Sequence, residues 1–178
     1  MHERIRHDTS NCSIARTLDI VGDKWTLLIL REAQYGVTRF ADFLKVLRCP
    51  RNLLAERLRM LVEQGIFAVE PYKESGDRTR SQYVLTAKGD RLIPVLVALL
   101  QFGDEYLADP VGPSVHVDHR DCGHRVHVEM VCECGHKPQS GAELEITPGP
   151  AFRLTAAASS PADGSHVGGA VRTLRGTR

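Results

Sequence analysis

The residues best equipped for chemistry lie in one short stretch. His119-Arg-Asp-Cys122-Gly-His124 is followed by Cys132-Glu-Cys134-Gly-His136. Each half carries a Cys-Gly step, a turn that leaves backbone N–H groups facing a thiolate. Zinc takes four ligands in a tetrahedron, chiefly from cysteine and histidine. The available thiolates are those of Cys122, Cys132 and Cys134. The fourth ligand comes from His119, His124 or His136, and His119 is taken into the set. A zinc held there is structural, because no acid–base group is poised beside an open coordination position. The second knuckle reads Cys-x-Cys, one residue short of the Cys-x-x-Cys of a zinc ribbon. The other reading is a short β-hairpin appendage whose cysteines bind nothing.

Little else suggests catalysis. The chain has no Gly-rich phosphate loop, no nucleophile elbow and no metalloprotease helix, so an enzyme is not expected. Of its 178 residues 42% are apolar and 25% charged, with a net charge of +1. That is the make-up of an ordinary soluble globular protein. Any nucleic-acid surface must then be local. No apolar run is long enough to cross a bilayer. The start, Met1-His-Glu-Arg-Ile-Arg-His-Asp, lacks the apolar stretch of a signal peptide. A cytoplasmic protein with no membrane partner is expected. Its five cysteines, odd in number and unevenly spread, do not suggest a secreted disulfide framework.

The elements that must position any site lie upstream. Four zones are read: a flexible N-terminal arm over 1–11, a regularly patterned domain over 12–108, the Cys/His-rich appendage over 109–148, and a tail over 149–178. The tail is too poor in apolar bulk to fold. In the patterned domain Ile14, Leu18 and Val21 recur at helical spacing, and Gly22 is a stop. Asp23 caps a second helix through Trp25 and Leu28–Leu30 to Ala33, closed near Gly36. Thr38 caps a third, with Phe40, Phe43, Leu44 and Leu47 on one stripe. After Arg48-Cys49 comes Pro50, suited to a first helical position because its missing N–H would be unpaired there. The fourth helix ends at Gln64-Gly65. The period then shortens over Phe67–Tyr72 and again around Tyr83 and Leu85, across the polar turn Glu74-Ser-Gly-Asp-Arg78. This is a β-hairpin. Thr86 caps a last helix expected to run from Ala87 to Leu107.

This order gives a mainly α fold with a β-hairpin wing, a winged helix-turn-helix. Such a fold places its second helix in the DNA major groove, about 12 Å wide, and its wing on flanking backbone or minor groove. The expected recognition helix runs from Pro50 to Gln64. Leu54, Leu58, Leu61 and Val62 form its packing face. Asn52, Glu56 and Arg59 lie opposite, with Arg51 and Ala55 at the edge. Asparagine pairs well with adenine, and arginine with guanine or phosphate. Arg57 falls off this face and reads as structural or as a phosphate contact. Lys73, Arg78 and Arg80 furnish the wing, and Arg39 completes the expected DNA-binding set. From Thr38 to Arg91 there are eleven Lys and Arg against seven Asp and Glu, an excess suited to phosphate. Weighed against this, exposed arginines on an amphipathic helix are usually only solvated. The competing function is a winged-helix protein-interaction module with a structural zinc site.

Several stretches resemble the HxlR family of winged-helix regulators, related in fold to MarR proteins. They are Cys12-Ser-Ile-Ala-Arg-Thr-Leu-Asp-Ile-Val-Gly-Asp-Lys-Trp-Thr-Leu-Leu-Ile-Leu-Arg-Glu, Arg39-Phe40-Ala-Asp-Phe43, Leu54-Ala-Glu-Arg57-Leu-Arg-Met-Leu-Val-Glu-Gln-Gly65-Ile and Tyr83-Val-Leu-Thr86-Ala-Lys-Gly89. The resemblance covers about Cys12 to Leu107. It implies a transcription regulator, more often a repressor, acting as a homodimer on double-stranded DNA with a pseudo-palindromic operator. It places the dimer contact on the N- and C-terminal helices. The last helix agrees, being apolar nearly all round from Leu92 to Phe102, and such a helix needs cover on every side. Some members sense oxidants or electrophiles through a cysteine at the start of the first helix. Cys12 matches that position, where a helix N-terminus lowers a thiol pKa. The plainer reading of Cys12 is a small packed residue. Cys49 stands where the family commonly has serine, and cysteine is the poorer cap, so a looser start to the recognition helix is expected.

Overall fold

The computed structural model describes residues 8–73 and 79–154. Six helices and one hairpin follow in the order α1 (Ser13–Val21), α2 (Lys24–Gln34), α3 (Phe40–Leu47), α4 (Arg51–Glu63), β1 (Phe67–Tyr72), β2 (Arg80–Leu85), α5 (Ala87–Asp90) and α6 (Ile93–Tyr106). A 3-10 turn follows at Gly141–Glu143. The strands pair antiparallel in a register from Phe67 opposite Leu85 to Tyr72 opposite Arg80. This is the winged helix-turn-helix expected from the sequence. No helix among the described residues is long and apolar enough to cross a membrane.

The helix boundaries follow from local chemistry. Asp23 caps α2, its Oδ1 accepting from Trp25 N at 3.0 Å and Thr26 N at 3.3 Å. The ends of α2 and α4 share one device. Gly36 (φ 91°) and Gly65 (φ 66°) take the left-handed conformation that suits glycine. Gly36 N–H then bonds Ala33 O and Val37 N–H bonds Glu32 O. Gly65 and Ile66 repeat the pattern on Val62 and Leu61, satisfying carbonyls that a helix end would otherwise leave orphaned. Thr86 caps α5 as expected, accepting from Gly89 N at 3.1 Å. Its hydroxyl also donates to Gly65 O at 2.7 Å, tying the end of the wing to the end of α4.

Three expectations need correction. Thr38 does not cap α3. Arg39 holds the N-cap position without a side-chain bond, and the Thr38 hydroxyl reaches Gln82 Oε1 on β2 at 3.2 Å instead. Pro50 is the N-cap of α4 and not its first helical residue. Cys49 is therefore not at the capping position at all. It is buried, where a thiol behaves as a small apolar group. Finally, Ala87–Leu107 is two helices. Pro94 has no N–H for the Asp90 carbonyl, and its ring would crowd that group, so α5 ends at Asp90 and α6 starts afresh at Ile93.

The core lies where α2, α3, α4 and the hairpin meet. Ile29, Leu30, Phe43, Leu54, Leu58, Leu61, Ile66 and Phe67 are all within 2% of complete burial. The three leucines of α4 are spaced by four and three residues, so one stripe of that helix enters the core and the opposite stripe is left to solvent.

The described chain divides into two compact units, one of Thr17–Val128 and one of the residues up to Arg16 with those from Glu129 onward. The first half of the Cys/His-rich segment thus belongs with the winged helix. Gln101 of α6 shows how it is held: its amide receives Val128 N–H at 2.6 Å and donates to Val128 O at 3.3 Å. Of the expected N-terminal arm, residues 8–11 are described, and of the expected tail, residues 149–154.

Candidate nucleic-acid interface

The turn between α3 and α4 is tight because Arg48 adopts φ 50°, with its N–H on Leu44 O at 3.0 Å. A left-handed arginine reverses the chain within three residues and sends α4 off at once. With Leu54, Leu58 and Leu61 turned inward, Arg51, Asn52, Ala55, Glu56 and Arg59 are all exposed. Helical periodicity alone accounts for this placement. Arg59 lies 3.7 Å from Glu63, one turn on, a solvated pair that a phosphate could outcompete.

Aromatic rings hold two of the other cations. The Arg51 guanidinium sits 4.9 Å from the Phe40 ring centre, across the helix-turn-helix bend. Arg39 sits 4.4 Å from the Tyr72 ring centre, joining the start of α3 to the wing. A guanidinium lying on a ring loses rotational freedom yet keeps edge N–H groups for a further acceptor. Tyr83 N–H adds a bond to Thr38 O at 2.7 Å. The wing is thus fastened to the reading unit at Thr38 and Arg39. Lys73 and Arg80, exposed at the far end of the hairpin, follow and face Tyr72 in the ladder. Arg78 lies outside the described residues. Sequence reasoning missed Tyr72 and Thr38 as fasteners. A ring beside Lys73 was the available signal for the first, and nothing local marked the second.

The other expected sites fall elsewhere. Cys12 stands at the N-cap of α1, its carbonyl accepting from Arg16 N at 3.0 Å. It is half-buried on a cavity of about 380 Å³ lined also by Asp8 and by 146–152. There Ser10 N–H donates to Asp8 Oδ1 at 2.9 Å and holds that carboxyl below its usual value. The two Cys-Gly turns do form: Gly123 N–H bonds His119 O and Gly135 N–H bonds Cys132 O, with both glycines at positive φ. Cys122 Sγ lies 3.4 Å from His119 Nδ1. However, His119 and Cys122 belong to one compact unit, and Cys132 and Cys134 to the other. Among the described residues no group of three or more His, Cys, Asp or Glu is gathered as a metal ion would require.

A core-mounted helix with a polar outer face, preceded by a tight helix turn and flanked by a hairpin, defines a winged helix-turn-helix DNA-binding protein. The comparisons place it further. The model of the HxlR-like helix-turn-helix family matches residues 20–110. HTH-type transcriptional regulators of Mycobacterium tuberculosis (Rv3095) and Mycobacterium bovis (Mb3122) are 42% identical over 156 residues, covering 87% of this chain and 97% of theirs. Among solved structures, that of the transcription factor PA1607 superimposes with a TM-score of 0.69 at 37% identity, over 78% of this chain and 95% of that one. The chain belongs to the HxlR-like helix-turn-helix family. It is a transcriptional regulator with a helix-turn-helix DNA-binding domain, in a family of regulators and not of enzymes.

Proposed function

We propose that the protein is a repressor that binds a pseudo-palindromic operator as a homodimer, reading bases with Arg51, Asn52, Ala55 and Arg59 and phosphates with Arg39, Lys73, Arg78 and Arg80. The observation that carries this reading is the outer face of α4. It is polar and exposed, with only Ala55 apolar among Arg51, Asn52, Ala55, Glu56 and Arg59, while its opposite face is buried in leucine. Dimerisation is supported by the apolar residues that α1 and α6 leave exposed, Ile14 and Leu18 on one and Val95, Leu99 and Phe102 on the other.

The test uses duplexes selected by the protein from a random pool, titrated at several salt concentrations against a scrambled duplex. Selective binding that weakens steeply with salt is expected. Arg59→Ala is expected to cost about 1–3 kcal/mol and to relax the preference at one position in each half-site. No selected duplex, or an Arg59→Ala protein with unchanged affinity and preference, counts against this assignment.

Cys12 is the residue through which an oxidant or electrophile would act. Its support is its place at a helix N-cap, where thiolates are favoured, on the wall of a cavity. Peroxide or a quinone is expected to weaken operator binding severalfold in the wild-type protein and not in Cys12→Ser. Equal sensitivity of the two proteins would remove Cys12 from the signal.

A further inference from the structure

Arg57 is a cation on the recognition helix that does not belong to its outer face. At 3.6 residues per turn it lies about 200° around the helix from Arg59, beside the buried leucines. Its side chain is 29% exposed, and its Nε lies 3.3 Å from Asp23 Oδ1. That Nε is buried with no hydrogen-bond partner, so its relation to Asp23 is one of charge and not of an aligned bond. Glu56 offers only a distant second carboxylate, 3.9 Å from the other end of the guanidinium.

The acceptor is unusual in its duties. The same Asp23 oxygen that meets Arg57 also receives Trp25 N–H and Thr26 N–H, and so caps α2. One atom therefore fixes the start of the core helix and the flank of the recognition helix. Leucine packing sets how deep α4 lies, and the Asp23–Arg57 pair beside that stripe adds a restraint on roll about the helix axis. A roll of about 10° carries a side-chain tip at the helix's outer radius through about 1 Å, more than a bidentate base contact tolerates. A charge held on the side remote from Arg59 opposes that roll.

We infer that Asp23 and Arg57 are positioning residues for DNA reading: their pair sets the rotation of α4, and neither side chain touches the DNA. The inference rests on the DNA-reading role of α4 and adds to it a determinant of specificity away from the interface. It also separates Arg57 from the phosphate contacts with which its charge would group it.

The test exploits the equivalence of Asn and Asp as helix caps. Asp23→Asn keeps the acceptor for α2 and removes the charge that faces Arg57. Arg57→Met keeps the stem and removes the other charge. Each is measured as full-length protein, at its stoichiometrically determined active concentration, on the selected duplex and on a scrambled one. The ratio of the two affinities is expected to fall about two- to fivefold in each single variant, the range open to a part-exposed ion pair. The double variant should fall no further, and the salt dependence should stay that of the wild type. A merely structural pair would lower the active fraction and the melting temperature but leave the ratio alone, which overturns the inference. So does a salt slope reduced by about one in Arg57→Met only, because that is the signature of a phosphate contact. Additive losses in the double variant overturn it as well. A wild-type protein that selects no duplex removes the DNA-reading role itself, and is told apart by failing before any variant is compared.

Discussion

Phe43→Ala is expected to destabilise the protein by about 3–5 kcal/mol, the usual result of deleting a fully buried ring. Phe43 has no exposed surface. Its ring meets that of Phe67 edge-on at 6.4 Å, and Phe67 meets Tyr83 in the same way at 6.4 Å. The three rings run from α3 through β1 to β2, so they are the apolar counterpart of the Thr38 and Arg39 fasteners. Removing the first leaves a void bordered by α3 and the root of the wing. A domain of this size is stable by only about 5–15 kcal/mol, so a large share of that margin would go. Chemical denaturation followed by far-UV circular dichroism measures the effect directly. A loss under about 1 kcal/mol would show that the site collapses around the deletion and that the ring chain is not what joins wing to helix.

What the sequence made legible was whatever depends on near neighbours. The leucine stripe of α4, the caps Asp23 and Thr86, and the stops Gly36 and Gly65 all act within a few residues, and periodicity or residue type marks each one. The outward placement of Arg51, Asn52, Ala55 and Arg59 follows from the same stripe. Thr38 was misread because its hydroxyl had two possible uses, a helix N-terminus next door or Gln82 forty-four residues on. Only the folded hairpin decides between them. The rings that hold Arg39 and Arg51 were hidden because each belongs to another element, Tyr72 to β1 and Phe40 to α3. Pro94 is a different case. The break it makes was readable from its missing N–H, but the strong apolar pattern on either side argued for one continuous helix. Arg57 was set apart from the reading face by its angle on the helix. Its partner was invisible because Asp23 already had a sufficient explanation as a cap.

The largest functional effect is expected from α6. Leu92 and Leu96 pack towards the core and Val97 is buried. Gln101 is engaged with the backbone of Val128. The remaining side carries Val95, Leu99, Phe102 and Tyr106, which are 46%, 51%, 59% and 63% exposed. Their spacing of four, three and four residues is that of the a and d positions in a helix-to-helix seam. The Phe102 and Tyr106 rings lie 5.0 Å apart, so the stripe is continuous at that end. A continuous row of large apolar side chains is costly to leave in water and on a folded protein marks an interaction surface. A second copy of α6 is the simplest occupant, since a two-fold axis matches the stripe to itself. Leu99→Asp combined with Phe102→Asp would place four carboxylates in that seam and is expected to give a monomer by light scattering. Circular dichroism should barely change, because neither residue is in the core. Binding to a duplex with two half-sites should weaken by about 100-fold or more, as the second half-site loses its tethered partner. Binding to a single half-site should hold. A double variant that stays dimeric would assign the dimer contact to another face, whereas a monomer that binds the paired site as tightly as before would show that each α4 reads its half-site unaided.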